Sequence, residues 1–109
     1  MKTLITITML ISAVGLLSSR AEEAKAIYEK QCTKCHGPDG KGETKLGKKA
    51  GVKDYTDAKV QAEIKDDVAF KAVKEGLQDG DKVKMKPAEN VSDAEIKALI
   101  AYMRAFKAK

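Results

Sequence analysis

Cys32-Thr33-Lys34-Cys35-His36 is the stretch from which the rest of this 109-residue chain can be read. It spells C-x-x-C-H, the pattern of covalent c-type haem attachment. The spacing has a chemical reason. Two thiols three residues apart on a tight turn can each add to a vinyl group of one porphyrin, and the next residue then aims its imidazole at the iron. Both cysteines of the chain and its only histidine fall in this stretch. A structural zinc site would need a second ligand pair, and the chain has none. A thioredoxin-type dithiol would sit beside a βαβ pattern, which is missing. A plain disulfide with an incidental histidine is the remaining alternative in an exported protein.

The start of the chain reads as an export signal. Lys2 supplies a positive charge, and residues 4–17 form an uncharged run in which Thr6, Thr8 and Ser12 are the only hydroxyls. That run is shorter than the roughly 20 apolar residues of a membrane-spanning helix. Ser19-Arg20-Ala21 offers small residues for a signal peptidase, so cleavage is expected after Ala21. The expected organisation is a removed signal over residues 1–21 and one domain over residues 22–109. The alternative for the first segment is an uncleaved membrane anchor. Export and haem attachment support each other, because the thiols must be handled outside the cytoplasm; the expected location is periplasmic. No cysteine lies at the cleavage site, which argues against a lipid anchor.

The formal charge of +5 falls when Lys2 and Arg20 leave with the signal, and two haem propionates lower it further. A nearly neutral monomer with local charge patches follows, not a nucleic-acid binder. Aromatic residues make up only 5% of the chain, so its core is thin and a buried haem would fill it.

Residues 22–31 read as a helix running into the motif. Ala24, Ile27, Tyr28 and Gln31 recur at helical spacing, and Glu22 and Glu23 suit its start. Residues 37–52, rich in glycine and lysine, read as an irregular loop after the Gly37-Pro38-Asp39-Gly40 turn. Tyr55 follows, with a hydroxyl able to meet a haem propionate or simply half-buried in a loop. Asp57 is expected to cap one short helix and Asp66 a second one ending near Gly76. Residues 78–84 read as polar and flexible. Ser92-Asp93-Ala94-Glu95 matches a capping box and opens a helix over residues 93–107. Its apolar stripe is Ile96, Leu99, Ile100, Met103 and Phe106, with Arg104, Lys107 and Lys109 at its basic end. No strand pattern stands out, and the expected fold class is all-α.

A second axial ligand must come from methionine, lysine or tyrosine, since no other histidine exists. Met1 and Met9 leave with the signal. Met103 lies in a regular apolar stripe, where methionine fills cores. Met85, in Lys84-Met85-Lys86-Pro87, has no packing reason to be apolar, and Pro87 would stiffen its loop. Met85 is therefore the expected ligand, with Lys82 or Lys86 as the remaining alternative. His/Met ligation raises the reduction potential and closes the iron to small ligands. The expected function is one-electron transfer without catalysis. The alternative is a haem-based gas sensor or small peroxidase with an open sixth site.

With these residues in place, the chain resembles the small, single-haem class I cytochromes c of bacterial periplasms over nearly all of residues 22–109. The resemblance rests on Cys32-Thr33-Lys34-Cys35-His36-Gly37, on Met85 before a proline, and on Leu99-Ile100-Ala101-Tyr102. It implies the cytochrome c fold, in which the first and last helices cross through a small and an aromatic residue. Here that means Ala24 and Tyr28 meeting Leu99 and Tyr102. Two features depart from the family. No proline stands near Lys48, where a carbonyl acceptor for the histidine is usual, and there is no tryptophan for the propionates, leaving Tyr55 or loop lysines. Redox proteins are the expected partners, steered by Lys34, Lys82, Lys84 and Lys86 around an exposed haem edge.

Overall fold

The polar and apolar spacing at the two ends of the domain produces the helix pair on which everything else is hung. The computed structural model describes residues 14–106, with side-chain environments from Arg20 onward. The first and last helices are α1 (Val14–Gln31) and α6 (Asp93–Arg104). They meet through Ala24, Tyr28 and Leu99, all buried, with Ile27, Cys32, Val73, Ala98, Tyr102 and Phe106 packed around them. Ala24 lets the helices approach, and Tyr28 fills the space beside it. The rings of Tyr28, Tyr102 and Phe106 form a triangle with centroids 5.1, 5.3 and 5.2 Å apart, within the range of favourable aromatic pairing. The expected contact of Ala24 and Tyr28 with Leu99 and Tyr102 is therefore present.

The ends of these helices follow partly from local chemistry. Ser92 and Glu95 make the full capping box: the Glu95 N–H donates to Ser92 Oγ at 3.1 Å, and the Ser92 N–H donates to Glu95 Oε1 at 2.9 Å. Ile96, Leu99 and Ile100 are the buried face of α6. The helix stops at Arg104, short of residue 107, and Lys107 and Lys109 lie outside the described residues. Helix α1 is longer than the expected 22–31. It passes unbroken through Ser19-Arg20-Ala21, which contain no proline, so Glu22 and Glu23 sit inside it rather than at its start. Residues 1–13, with Lys2 and most of the expected apolar run, lie outside the described residues. Among the described residues no helix is long and apolar enough to cross a membrane.

Between the two long helices run α2 (Thr33–His36), α3 (Lys45–Ala50), α4 (Ala58–Glu63), α5 (Asp66–Glu75), β1 (Leu77–Asp79) and β2 (Lys82–Met85). Asp57 caps α4 as expected, accepting from the Lys59 N–H at 2.8 Å. Three readings need correction. The 37–52 stretch contains helix α3, which Thr44 caps by accepting from the Gly47 N–H at 2.8 Å. Residues 78–84 are an antiparallel ribbon, pairing Gln78 with Val83 and Asp79 with Lys82. The Gly80-Asp81 step that turns it, with Gly80 at φ +60°, is a hairpin signal, though the strands are too short to show alternation. Lys65 occupies the N-cap position of helix α5 without a side-chain cap hydrogen bond, and Asp66 lies in the first turn. The all-α class holds, with this ribbon as a small addition.

Asp66 is unavailable as a cap because its carboxylate faces Arg104. That guanidinium ties α6 to the α4–α5 corner. Its Nη1 donates to the Gln61 carbonyl at 2.6 Å and to Gln61 Oε1 at 2.9 Å, and its Nη2 donates to the Ile64 carbonyl at 2.5 Å. Nη2 also meets Asp66 Oδ1 at 2.7 Å. Gln61, the buried polar residue of this corner, donates onward to the Tyr55 and Met103 carbonyls at 2.7 and 3.1 Å. The carbonyl contacts outweigh the ion pair, because Asp66 is 75% exposed and screened by water. Arg104→Met is expected to cost about 2 kcal/mol, since it removes charged hydrogen bonds from part-buried carbonyls. Asp66→Asn should cost less than about 1 kcal/mol. Denaturant titrations compared at unchanged slope measure both, and equal losses would contradict this ranking.

Candidate haem-binding site

The C-x-x-C-H stretch forms a single helical turn continuing from α1. The Cys32 N–H still donates to the Tyr28 carbonyl at 2.8 Å, and the His36 N–H donates to the Cys32 carbonyl at 3.0 Å. Cys32 and Cys35 are thus one turn apart, at the spacing that brings side chains to one side of a helix. Both are free thiols and half-buried. Burial, and then the neighbouring Cys35, push the Cys32 thiol up to about 11. At neutral pH it is a protonated thiol, the form with a hydrogen to give when sulfur adds to a carbon–carbon double bond.

The backbone of this turn is held by its own carbonyls. Thr44 Oγ1 donates to the Cys35 carbonyl at 2.7 Å, the Gly42 N–H donates to the His36 carbonyl at 2.8 Å, and the Tyr28 hydroxyl donates to the Gly37 carbonyl at 2.5 Å. Burial raises Tyr28 above the ordinary phenol range, with Cys32 adding to the effect, so it remains a donor. Helix α3 lies directly against the turn. A side chain at Gly47 would run into the Cys35 and Gly42 carbonyl oxygens, so only glycine permits this approach.

His36 stacks on Tyr55, with ring centroids 5.2 Å apart and planes 22° from parallel. Tyr55 is itself fixed, its N–H donating to the Gly40 carbonyl at 2.8 Å and its carbonyl accepting from Gln61. Burial lowers the basicity of His36 and so favours the neutral imidazole, the form that can bind a metal. Its Nδ1 is buried without a hydrogen-bond partner, a costly arrangement for a lone polar atom. Two thiols and a half-buried neutral imidazole on one turn are the donor set that a covalently held haem requires, so the residues present fit that group. Among the described residues, no three His, Cys, Asp or Glu side chains are gathered to hold a bare metal ion.

Met85 comes from a separate element. It ends β2, half-buried, across from Leu77. The main chain beyond it is fastened twice: the Ala88 N–H donates to the Val73 carbonyl at 2.9 Å, and Glu89 is bound by the Gln31 side chain. Gln31 immediately precedes Cys32, so the methionine segment is tied directly to the edge of the cysteine turn. Met103 is half-buried on α6. Lys34, Lys82, Lys84 and Lys86 are all exposed.

Sequence reasoning missed two of these residues. The Tyr55 ring lies on His36, although the expectation for it concerned a propionate; turns and helix α3 separate the two, and no periodicity could align them. Gln31 was read only as part of a helical face, because its partner is a main-chain group 58 residues away.

The sequence model of the Cytochrome c family matches residues 21–107. Among solved structures, the KustC0563 c-type cytochrome is similar, with 33% identity and a TM-score of 0.67, covering 77% of this chain and 96% of that one. A tyrosine-to-phenylalanine mutant of Kustc0563 gives 31% identity and a TM-score of 0.66, covering 78% of this chain and 99% of that one. No curated protein matches the chain significantly. The chain belongs to the cytochrome c family: it is a small class I cytochrome c, an electron-transfer protein whose cofactor is a covalently bound c-type haem with iron.

Proposed function

We propose that this protein is an exported, soluble, monomeric electron carrier in which Cys32 and Cys35 would bind the haem and His36 and Met85 would ligate its iron. The observation that carries the reading is the turn Cys32–His36 itself, with two free thiols and a half-buried imidazole on a turn held in place by Tyr28, Thr44 and Gly47. The haem iron supplies the one-electron ferric/ferrous couple. The chain supplies the rest. Cys32 and Cys35 would hold the haem through thioether bonds to its two vinyl groups. His36 presents a neutral imidazole held by Tyr55. Met85 offers a thioether, which favours ferrous over ferric iron, and Pro87 limits the motion of its loop.

Export over residues 1–21 is supported by the apolar run and by the family match beginning at residue 21. Partner docking through Lys34, Lys82, Lys84 and Lys86 is supported by their exposure and by their positions beside the proposed iron ligands. Redox proteins with acidic surfaces fit such a ring of charge.

The absorption spectrum of the reduced holoprotein, with and without carbon monoxide, tests the axial ligands. An unchanged low-spin spectrum is expected; rapid carbon monoxide binding would mean an open sixth site and favour a sensor or peroxidase. Replacement Met85→Ala should open the site and lower the reduction potential. The mass of the exported protein should correspond to a chain beginning at Glu22, and retention of residues 1–21 would refute cleavage. Bimolecular electron transfer to an acidic partner should slow several-fold as ionic strength rises from about 10 mM to 0.15 M. A flat response would remove the lysines from the docking surface.

A further inference from the structure

We infer that Gln31 is a positioning residue for the axial methionine, its side-chain amide clamping the Met85 loop to the haem-binding turn. The inference rests on Met85 being the sixth ligand. Gln31 Nε2 donates to the Glu89 carbonyl at 2.9 Å, and Gln31 Oε1 accepts from the Glu89 N–H at 2.8 Å. One carboxamide therefore satisfies both main-chain groups of one residue, as a neighbouring strand would, and fixes orientation as well as distance.

The location gives the clamp its meaning. Gln31 is the last residue of α1 and adjoins Cys32. Glu89 lies four residues after Met85, in a stretch with no helix or strand of its own. The loop has two other attachments, and both lead to the α5 end. The Ala88 N–H donates to the Val73 carbonyl. Met85 and Pro87 pass so close to Gly76 that a Cβ there would meet the Met85 carbonyl oxygen at 2.5 Å and Pro87 Cδ at 2.9 Å. Neither attachment reaches the cysteine turn. Asn90, directly after Glu89, has φ +56°, the left-handed turn conformation that asparagine adopts more readily than other non-glycine residues. The clamp and this turn together set where the chain leaves the loop for α6.

In a carrier, this geometry governs how readily the thioether leaves the iron. Thermal opening of the loop separates Met85 from the metal, and the Gln31 hydrogen bonds oppose that opening.

The test compares Gln31→Met, which keeps length and bulk but cannot clamp, with the parent holoprotein and with Met85→Ala. Gln31 is exposed, so the variant should fold. Amide hydrogen exchange at Glu89 should accelerate, verifying that the clamp is gone. The ferric thioether-to-iron charge-transfer band should fade at lower temperature, and the reduced protein should combine with carbon monoxide on the order of tenfold faster. The reduction potential should fall. If exchange accelerates while the band, the carbon monoxide rate and the potential stay unchanged, the clamp is only a loop staple and the inference is overturned alone. If Met85→Ala leaves the parent spectrum and potential unchanged, the ligand assignment fails and this inference falls with it.

Discussion

One buried phenol joins the scaffold to the chemistry. Tyr28 packs beside Ala24 and Leu99 at the crossing of the first and last helices, touches two further aromatic rings, and donates its hydroxyl to the carbonyl that follows His36. The crossing therefore positions the haem-binding turn as well as closing the domain. A buried donor that lost this partner would pay its full desolvation cost, so the crossing and the turn are stabilised together. Burial also holds the hydroxyl protonated through the ordinary pH range.

The core around that crossing is small. Ala24, Tyr28, Ile96, Leu99 and Ile100 are its buried apolar residues among those described, while Leu46, Val68, Leu77 and Val83 are each about half exposed. A domain of this size buries too little of its own surface to be strongly stable. The covalently bound haem of this family is a large apolar group of the kind that can supply what the side chains do not.

Loops must still satisfy their backbone groups. Here that is done by long side chains acting over long sequence separations. Arg104 collects the Gln61 and Ile64 carbonyls, Gln61 collects those of Tyr55 and Met103, and Gln31 takes both main-chain groups of Glu89. Arg104 and Gln61 join α4 to α6 and to the segment around Tyr55, and Gln31 joins α1 to the segment around Glu89. Polar side chains thus do in this domain what sheet hydrogen bonds do in larger ones, and their precise partners decide where His36, Tyr55 and Met85 stand.

What could be read from residues alone was local or chemically singular. The C-x-x-C-H spacing, the Ser92 capping box, the Asp57 cap and the apolar stripe of α6 each depend on neighbours within one or two helical turns, and each is present. Ala24 and Tyr28 were legible through the resemblance to a family whose helices cross in that way. Tertiary structure decided the rest. Helix α3 formed where glycine and lysine hid its pattern, because Gly47 lets it press on the Cys35 carbonyl. Asp66 gave up its capping role because Arg104, 38 residues away, claims its carboxylate. The His36–Tyr55 stack and the Gln31–Glu89 clamp join residues with no periodic relation. Such contacts leave no trace in spacing, since a main-chain partner can belong to any residue that folding brings within reach.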